Sequence, residues 1–117
     1  MRVGSIVMGA SDVRRAMEFW SRALGYVPRD EPEDTWVVLM PATGGGPNVS
    51  LMASETPVQE LPRVHLDLYT DQQTAEVERL VGLGASRVDW PHYPPGADFV
   101  VLADTEGNRF CVVNHRG

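Results

Sequence analysis

A single cysteine, Cys111, in 117 residues leaves no internal disulfide to form. The chain therefore does not read as a secreted, bridge-stapled scaffold, and a reducing cytoplasm is its expected setting. Long apolar runs are also missing. The N-terminal stretch Val3 to Ala10 is broken by Gly4, Ser5 and Gly9, which is too short for a membrane span and a poor core for a signal peptide. Positive charge is in short supply, with ten basic residues against sixteen acidic ones and a net charge of −6. Such a balance repels phosphate backbones, so nucleic acid is not an expected partner. Gly44-Gly45-Gly46-Pro47 lacks the lysine and serine of a phosphate loop, and there is neither a serine elbow nor a dinucleotide fingerprint.

What is present is an ordinary globular composition, 43% hydrophobic and 22% charged, of a size that buries a real core as one domain. Four of the five residues from Asp30 to Asp34 are acidic and flank Pro32, which reads as a solvated turn between apolar segments.

The two halves of the chain repeat one pattern. Asp12 opens a helical stretch ending at Leu24-Gly25, and Asp71 opens another ending at Leu83-Gly84 with the same offset. Val13, Ala16, Met17, Trp20 and Leu24 recur at helical spacing behind a Ser11 or Asp12 cap, and Gly25 supplies the stop. In the second half Thr70 or Asp71 is the expected cap, with Ala75, Val77, Leu80 and Val81 turned inward. One strand precedes each helix, near Val3 to Gly9 and Val64 to Tyr69. Three follow each: Tyr26 to Arg29, Thr35 to Met40 and Asn48 to Ala53, then Ser86 to Trp90, Phe99 to Ala103 and Arg109 to Asn114. Glycine-rich turns, 44–47 and 105–108, sit where the last two strands of each copy must reverse. The expected fold class is α+β: two βαβββ modules forming a half-open curved β-barrel with a central cavity. The modules span about 1–53 and 62–117 of a single domain and are joined by a linker at 54–61.

Asp12 with Ala16, Phe19-Trp20 and Ala23-Leu24-Gly25, then Arg63-Val64-His65-Leu66-Asp67-Leu68, Leu83-Gly84-Ala85 and the run Leu102 to Val113 together resemble the glyoxalase/bleomycin-resistance/dioxygenase superfamily, the vicinal oxygen chelate fold. The small single-domain glyoxalase-like proteins are the subgroup they most resemble. The resemblance covers nearly the whole chain and speaks for the fold more than for an activity, because one scaffold hosts isomerases, dioxygenases, epimerases, thiol transferases and drug-sequestering proteins. Metal-dependent members carry ligands at corresponding places on the first and last strands. Those places fall here on Ser5 (or Ile6, by the internal repeat), Met52, His65 and Cys111. His65 alone retains the family residue. The resemblance thus implies no metal and no other cofactor. A divalent metal is the alternative, with Asp67, two residues on from His65 on the same strand face, as a further ligand beside Cys111.

His65, Asp67 and Cys111 are the candidate catalytic residues: an imidazole near neutrality, a carboxylate to orient it, and a thiol on the neighbouring strand. The same three residues, with Trp36, Trp90 and Met52, are the candidate ligand-binding set, the tryptophans offering faces for stacking near the cavity mouth. Trp20 lies on the helical stripe and reads as core. Pro91 to Gly96 reads as a rigid turn that sets His92 and Tyr93 at the rim. Asp104, Glu106 and Asn108 read as turn formers, because they supply too few oxygens for a calcium loop. The function expected on this basis is binding of an aromatic or cationic organic molecule in the cavity, in drug resistance or secondary metabolism. The alternative is a lyase, isomerase or dioxygenase of the same superfamily with a degenerate or absent metal site, so whether the chain is an enzyme stays open. The resemblance also implies a homodimer.

Overall fold

A computed structural model describes residues 1–115. The last two positions of the expected second module, 116–117, lie outside the described residues. The fold is α+β, with two compact units, Met1–Pro57 and the chain from Val58 onward. Each is a βαβββ module. No helix among the described residues is long and apolar enough to cross a membrane.

The first unit runs β1 (Ser5–Ala10), α1 (Val13–Leu24), β2 (Tyr26–Pro28), β3 (Trp36–Pro41) and β4 (Asn48–Ala53), with sheet order β1-β4-β3-β2. β1 pairs with β4 in parallel, and the other pairings are antiparallel. Asp12 caps α1 by accepting a hydrogen bond from the Arg15 N–H at 3.0 Å, a contact generally worth about 1 kcal/mol. Gly25 stops it in the left-handed region at φ 69°, where a side chain would be strained, and its N–H returns to the Ser21 carbonyl. Val13, Ala16, Phe19 and Trp20 are buried on this helix, together with the alternate sheet positions Val37, Leu39, Val49 and Leu51. Phe19 belongs to the core and meets Trp20 edge to face at 5.1 Å, whereas Met17 and Leu24, expected inward, are half-buried. The acidic turn is exposed, with Arg14 paired to Asp34 at 2.7 Å and Arg29 to Asp30 at 2.9 Å. Exposed pairs of this kind add little stability.

The second unit repeats the plan with β5 (Asp67–Thr70), α2 (Gln73–Leu83), β6 (Ser86–Arg87), β7 (Phe99–Ala103) and β8 (Arg109–Asn114), in the order β5-β8-β7-β6. Three expectations need correction. The strand expected from Val64 begins only at Asp67, because the first bond to its partner strand is the Cys111 N–H donating to the Leu66 carbonyl. His65 therefore sits on the run-in to β5. The strand expected to reach Trp90 ends at Arg87; one further bond, from Val88 N–H to the Val101 carbonyl at 3.4 Å, closes the pairing before the proline-rich stretch that follows. Neither Thr70 nor Asp71 caps α2. The cap position is Gln72, whose own N–H is taken by Thr70 Oγ1 at 2.9 Å.

The inward stripe of α2 also differs from the expected one. Val77 and Leu80 are buried, Ala75 is exposed and Val81 is 37% exposed, while Gln73 takes an inner place and donates to the carbonyls of Asp98 and Val112. In the last hairpin the buried Asp104 accepts from the N–H groups of Glu106 and Asn108, both at 2.9 Å, and Gly107 turns the chain at φ 90°. These residues form the turn as expected.

Candidate functional site

Side chains alternate across a strand, so His65, Asp67 and Tyr69 project from one face of the β5 segment. Register extends that face sideways. Asp67 stands opposite Cys111 on β8, which stands opposite Val101 on β7; Tyr69 stands opposite Val113, and Val113 opposite Phe99. These residues line a cavity of about 520 Å³ within the second unit, closed at its sides by Leu61, Pro62, Trp90, Asp98, Arg109 and Phe110. A volume of that order is typical of a small-molecule site.

The polar end holds three groups whose donor atoms lie within 4.8 Å of one another: His65, Asp67 and Cys111. The imidazole Nε2 is 3.0 Å from Asp67 Oδ1, with both side chains just under half exposed. Cys111 is 9% exposed. Burial pushes its thiol up to about 11 from an ordinary 9.0, and the neighbouring Asp67 adds to the shift through its negative charge and a hydrogen bond. A thiol so placed stays protonated at neutral pH, which argues against Cys111 acting as a free thiolate nucleophile beside His65.

The apolar walls are aromatic. Tyr69 stacks on His115 at 4.5 Å, Trp90 meets His92 edge-on at 5.1 Å, and Phe99 packs against Tyr93 at 5.3 Å. The loop expected to act as a rim is anchored, because the Tyr93 hydroxyl accepts the Val101 N–H at 2.8 Å. Neither His92 nor Tyr93 lines the cavity itself. Arg109 donates to the Glu60 carbonyl at 3.3 Å, which ties the segment before β5 to β8.

Of the candidates named from the sequence, His65, Asp67, Trp90 and Cys111 come together at this pocket. Trp36 and Met52 stand opposite each other on β3 and β4 of the first unit, 36% and 48% exposed, and are not part of its lining. Ser5 exchanges a 2.6 Å hydrogen bond with Ser50. Sequence reasoning passed over Tyr69, Asp98 and Arg109. The first was findable as the next residue on the His65–Asp67 face; the other two stand at the lower-numbered ends of β7 and β8, where no periodicity marks them.

The donor set bears on the metal that the superfamily implies. Manganese or magnesium asks for about six hard oxygen or nitrogen ligands, and the cluster offers one nitrogen, one carboxylate and one sulfur. A hard ion does not fit that set.

The glyoxalase-like domain profile matches residues 5–113, and the chain belongs to this family. Solved structures from the glyoxalase/bleomycin-resistance/dioxygenase superfamily share its fold over almost all of its length. A possible glyoxalase from Bacillus cereus is 16% identical, with 97% of this chain and 98% of that one covered at a TM-score of 0.72. A glyoxalase/bleomycin resistance protein/dioxygenase family enzyme from Burkholderia phytofirmans is 14% identical, with 96% and 97% covered at 0.71. The fosfomycin resistance protein FosX from Listeria monocytogenes, in complex with Mn(II) and 1S,2S-dihydroxypropylphosphonic acid, is 15% identical, with 98% and 93% covered at 0.73. No curated protein matches the chain.

Proposed function

We propose that this protein binds a small planar organic molecule, aromatic or cationic, in the pocket of its second unit, as part of drug resistance or secondary metabolism. One observation carries the reading: a cavity of about 520 Å³ that sets the rings of Tyr69, Trp90, Phe99 and Phe110 beside the carboxylates of Asp67 and Asp98. Apolar burial and stacking supply affinity in such a pocket, and a few polar groups fix orientation. Asp67 and Asp98 bring two negative charges to the lining and Arg109 one positive charge, a balance that favours a cation over an anion. A fold shared with a fosfomycin resistance protein is in keeping with a small-molecule role.

Tryptophan fluorescence during titration with N-methylquinolinium, a planar aromatic cation, tests this. Saturable quenching is expected, and Trp90→Ala should weaken binding by about tenfold, the size of one lost stacking contact. Trp36→Ala should change it by less than about twofold, since Trp36 lies outside the pocket lining. Equal losses in both variants, or no saturable binding, would remove the reading.

The hydrogen bond between His65 and Asp67 favours a second reading, a metal-free isomerase or lyase in which the carboxylate orients the imidazole as a general base. Turnover that His65→Ala abolishes while binding persists would select it.

A further inference from the structure

We propose that Arg109 holds an anionic group of the pocket's ligand, a carboxylate, and that the ligand is a planar aromatic zwitterion whose cationic part lies toward Asp98. The inference rests on the organic-ligand reading and narrows it to a substrate class. Arg109 is half-buried and lines the cavity. A guanidinium offers five N–H donors, and among the described residues the hydrogen-bond partner of this one is a neutral oxygen, the Glu60 carbonyl at 3.3 Å, with no carboxylate paired to it. A positive charge partly withdrawn from water without an acidic contact carries a desolvation cost, which an anion brought by a ligand offsets. Carboxylate matches it well, since two oxygens meet the planar guanidinium fork with two parallel hydrogen bonds. A phosphate fits the same fork but brings more negative charge against Asp67 and Asp98, so the monoanion is favoured.

Register separates the charges. Arg109, Cys111 and Val113 share one face of β8, and Arg109 stands on the Ala103 rung. Asp98 is at the other end of the same strand pair, where the Asn114 N–H donates to its carbonyl at 2.7 Å. At about 3.3 Å per residue, the backbone from Arg109 to Asn114 spans roughly 16 Å. The rung that carries Tyr69 and Phe99, with Val113 between them, lies next to the Asp98 end. Aromatic rings and a carboxylate together suit a delocalised cation. Asp67 stands between the two ends on the Cys111 rung, with its Oδ1 already 3.0 Å from His65 Nε2. Among the described residues no group bonds the Asp98 carboxylate, which leaves it for the positive part of a ligand.

The test titrates the full chain by tryptophan fluorescence with N-methylquinolinium-6-carboxylate, the matching 6-carboxamide and N-methylquinolinium itself, which share one ring system and one positive charge. The parent is expected to bind the carboxylate about tenfold more tightly than the carboxamide, the size of a charge-assisted hydrogen-bonded pair. Arg109→Gln, which keeps an N–H donor for the Glu60 carbonyl, should bring the two within about twofold of each other. The same variant should bind N-methylquinolinium at least as tightly as the parent, because a like charge has left the pocket. A merely structural role for Arg109 would instead weaken all three probes alike. Arg109→Lys keeps the charge without the planar fork and should retain part of the preference. Asp98→Asn should weaken all three probes by about threefold and leave the carboxylate preferred. A carboxamide bound as tightly as the carboxylate, a preference that survives Arg109→Gln, or equal weakening of all three probes in that variant would overturn the proposal. Unchanged affinities in Asp98→Asn would overturn the placement of the cation. Saturable binding of N-methylquinolinium with no preference for the carboxylate removes the zwitterion and leaves the organic-ligand reading standing, whereas no saturable binding of any probe removes both.

Discussion

Trp20→Ala should lower the stability of the folded chain by about 3–5 kcal/mol, measured as a shift in the urea midpoint at constant slope. Trp20 is 0% exposed and heads the fully buried side chains by volume. Its ring is held edge to face by Phe19 on the same helix. Truncation removes the transfer energy of the indole and leaves a cavity between α1 and its sheet, which a close-packed interior does not collapse to fill. A loss of this size is a large fraction of the 5–15 kcal/mol that ordinarily separates folded from unfolded chains. Trp36→Ala, at a position 36% exposed, should cost about 1 kcal/mol or less. Similar costs for the two variants would mean that α1 does not seat its Trp20 face in the core.

In metal-free protein at neutral pH, iodoacetamide should modify Cys111 about 100-fold more slowly than an ordinary thiol, because the attacking species is the thiolate. Burial holds the thiol at about 11 against an ordinary 9.0, and at a fixed pH below both values each unit costs a factor of ten in thiolate. Asp67→Asn removes the neighbouring negative charge that adds to the shift, so the variant should react faster than the parent. The linkage to stability has a definite sign. Above pH 9 an unfolded chain gives up its thiol proton while the folded chain keeps it, so this group withdraws stability as the pH rises from about 9 to about 11. The chain has no lysine and three tyrosines, which leaves few other groups titrating in that window. The unfolding midpoint of the parent should therefore fall more steeply across it than that of Cys111→Ser. Rapid alkylation of the parent at pH 7 would show the thiol to be exposed or ionised.

Much of the architecture was legible because short-range chemistry and long-range packing agree in this chain. β4, β7 and β8 have the expected bounds, and α1 lies between an aspartate that caps and a glycine that stops, as its spacing implies. Disagreements arose where tertiary hydrogen bonds decide an element's end. Val64, His65 and Leu66 look like strand, yet pairing starts where Cys111 first reaches across to Leu66. Thr70 and Asp71 look like caps for α2, yet Thr70 Oγ1 serves the Gln72 N–H one step too early and the helix starts at Gln73. The positions of His65 and Cys111 came from a resemblance, while Asp67 followed from strand alternation. Asp98 and Arg109 were not legible, since they stand at opposite ends of the antiparallel β7–β8 pair, one beside the Phe99–Val113 rung and the other on the Ala103–Arg109 rung, and no periodicity marks either as pocket lining.

The central claim, that the second unit's pocket holds a planar organic molecule, is tested most directly by backbone amide and indole chemical shifts recorded while N-methylquinolinium is added. Saturable shifts are expected at Asp67, Tyr69, Phe99, Val101, Arg109, Cys111 and the Trp90 indole, with the far face of α1 undisturbed. Saturable shifts that leave all of these positions unmoved would contradict it.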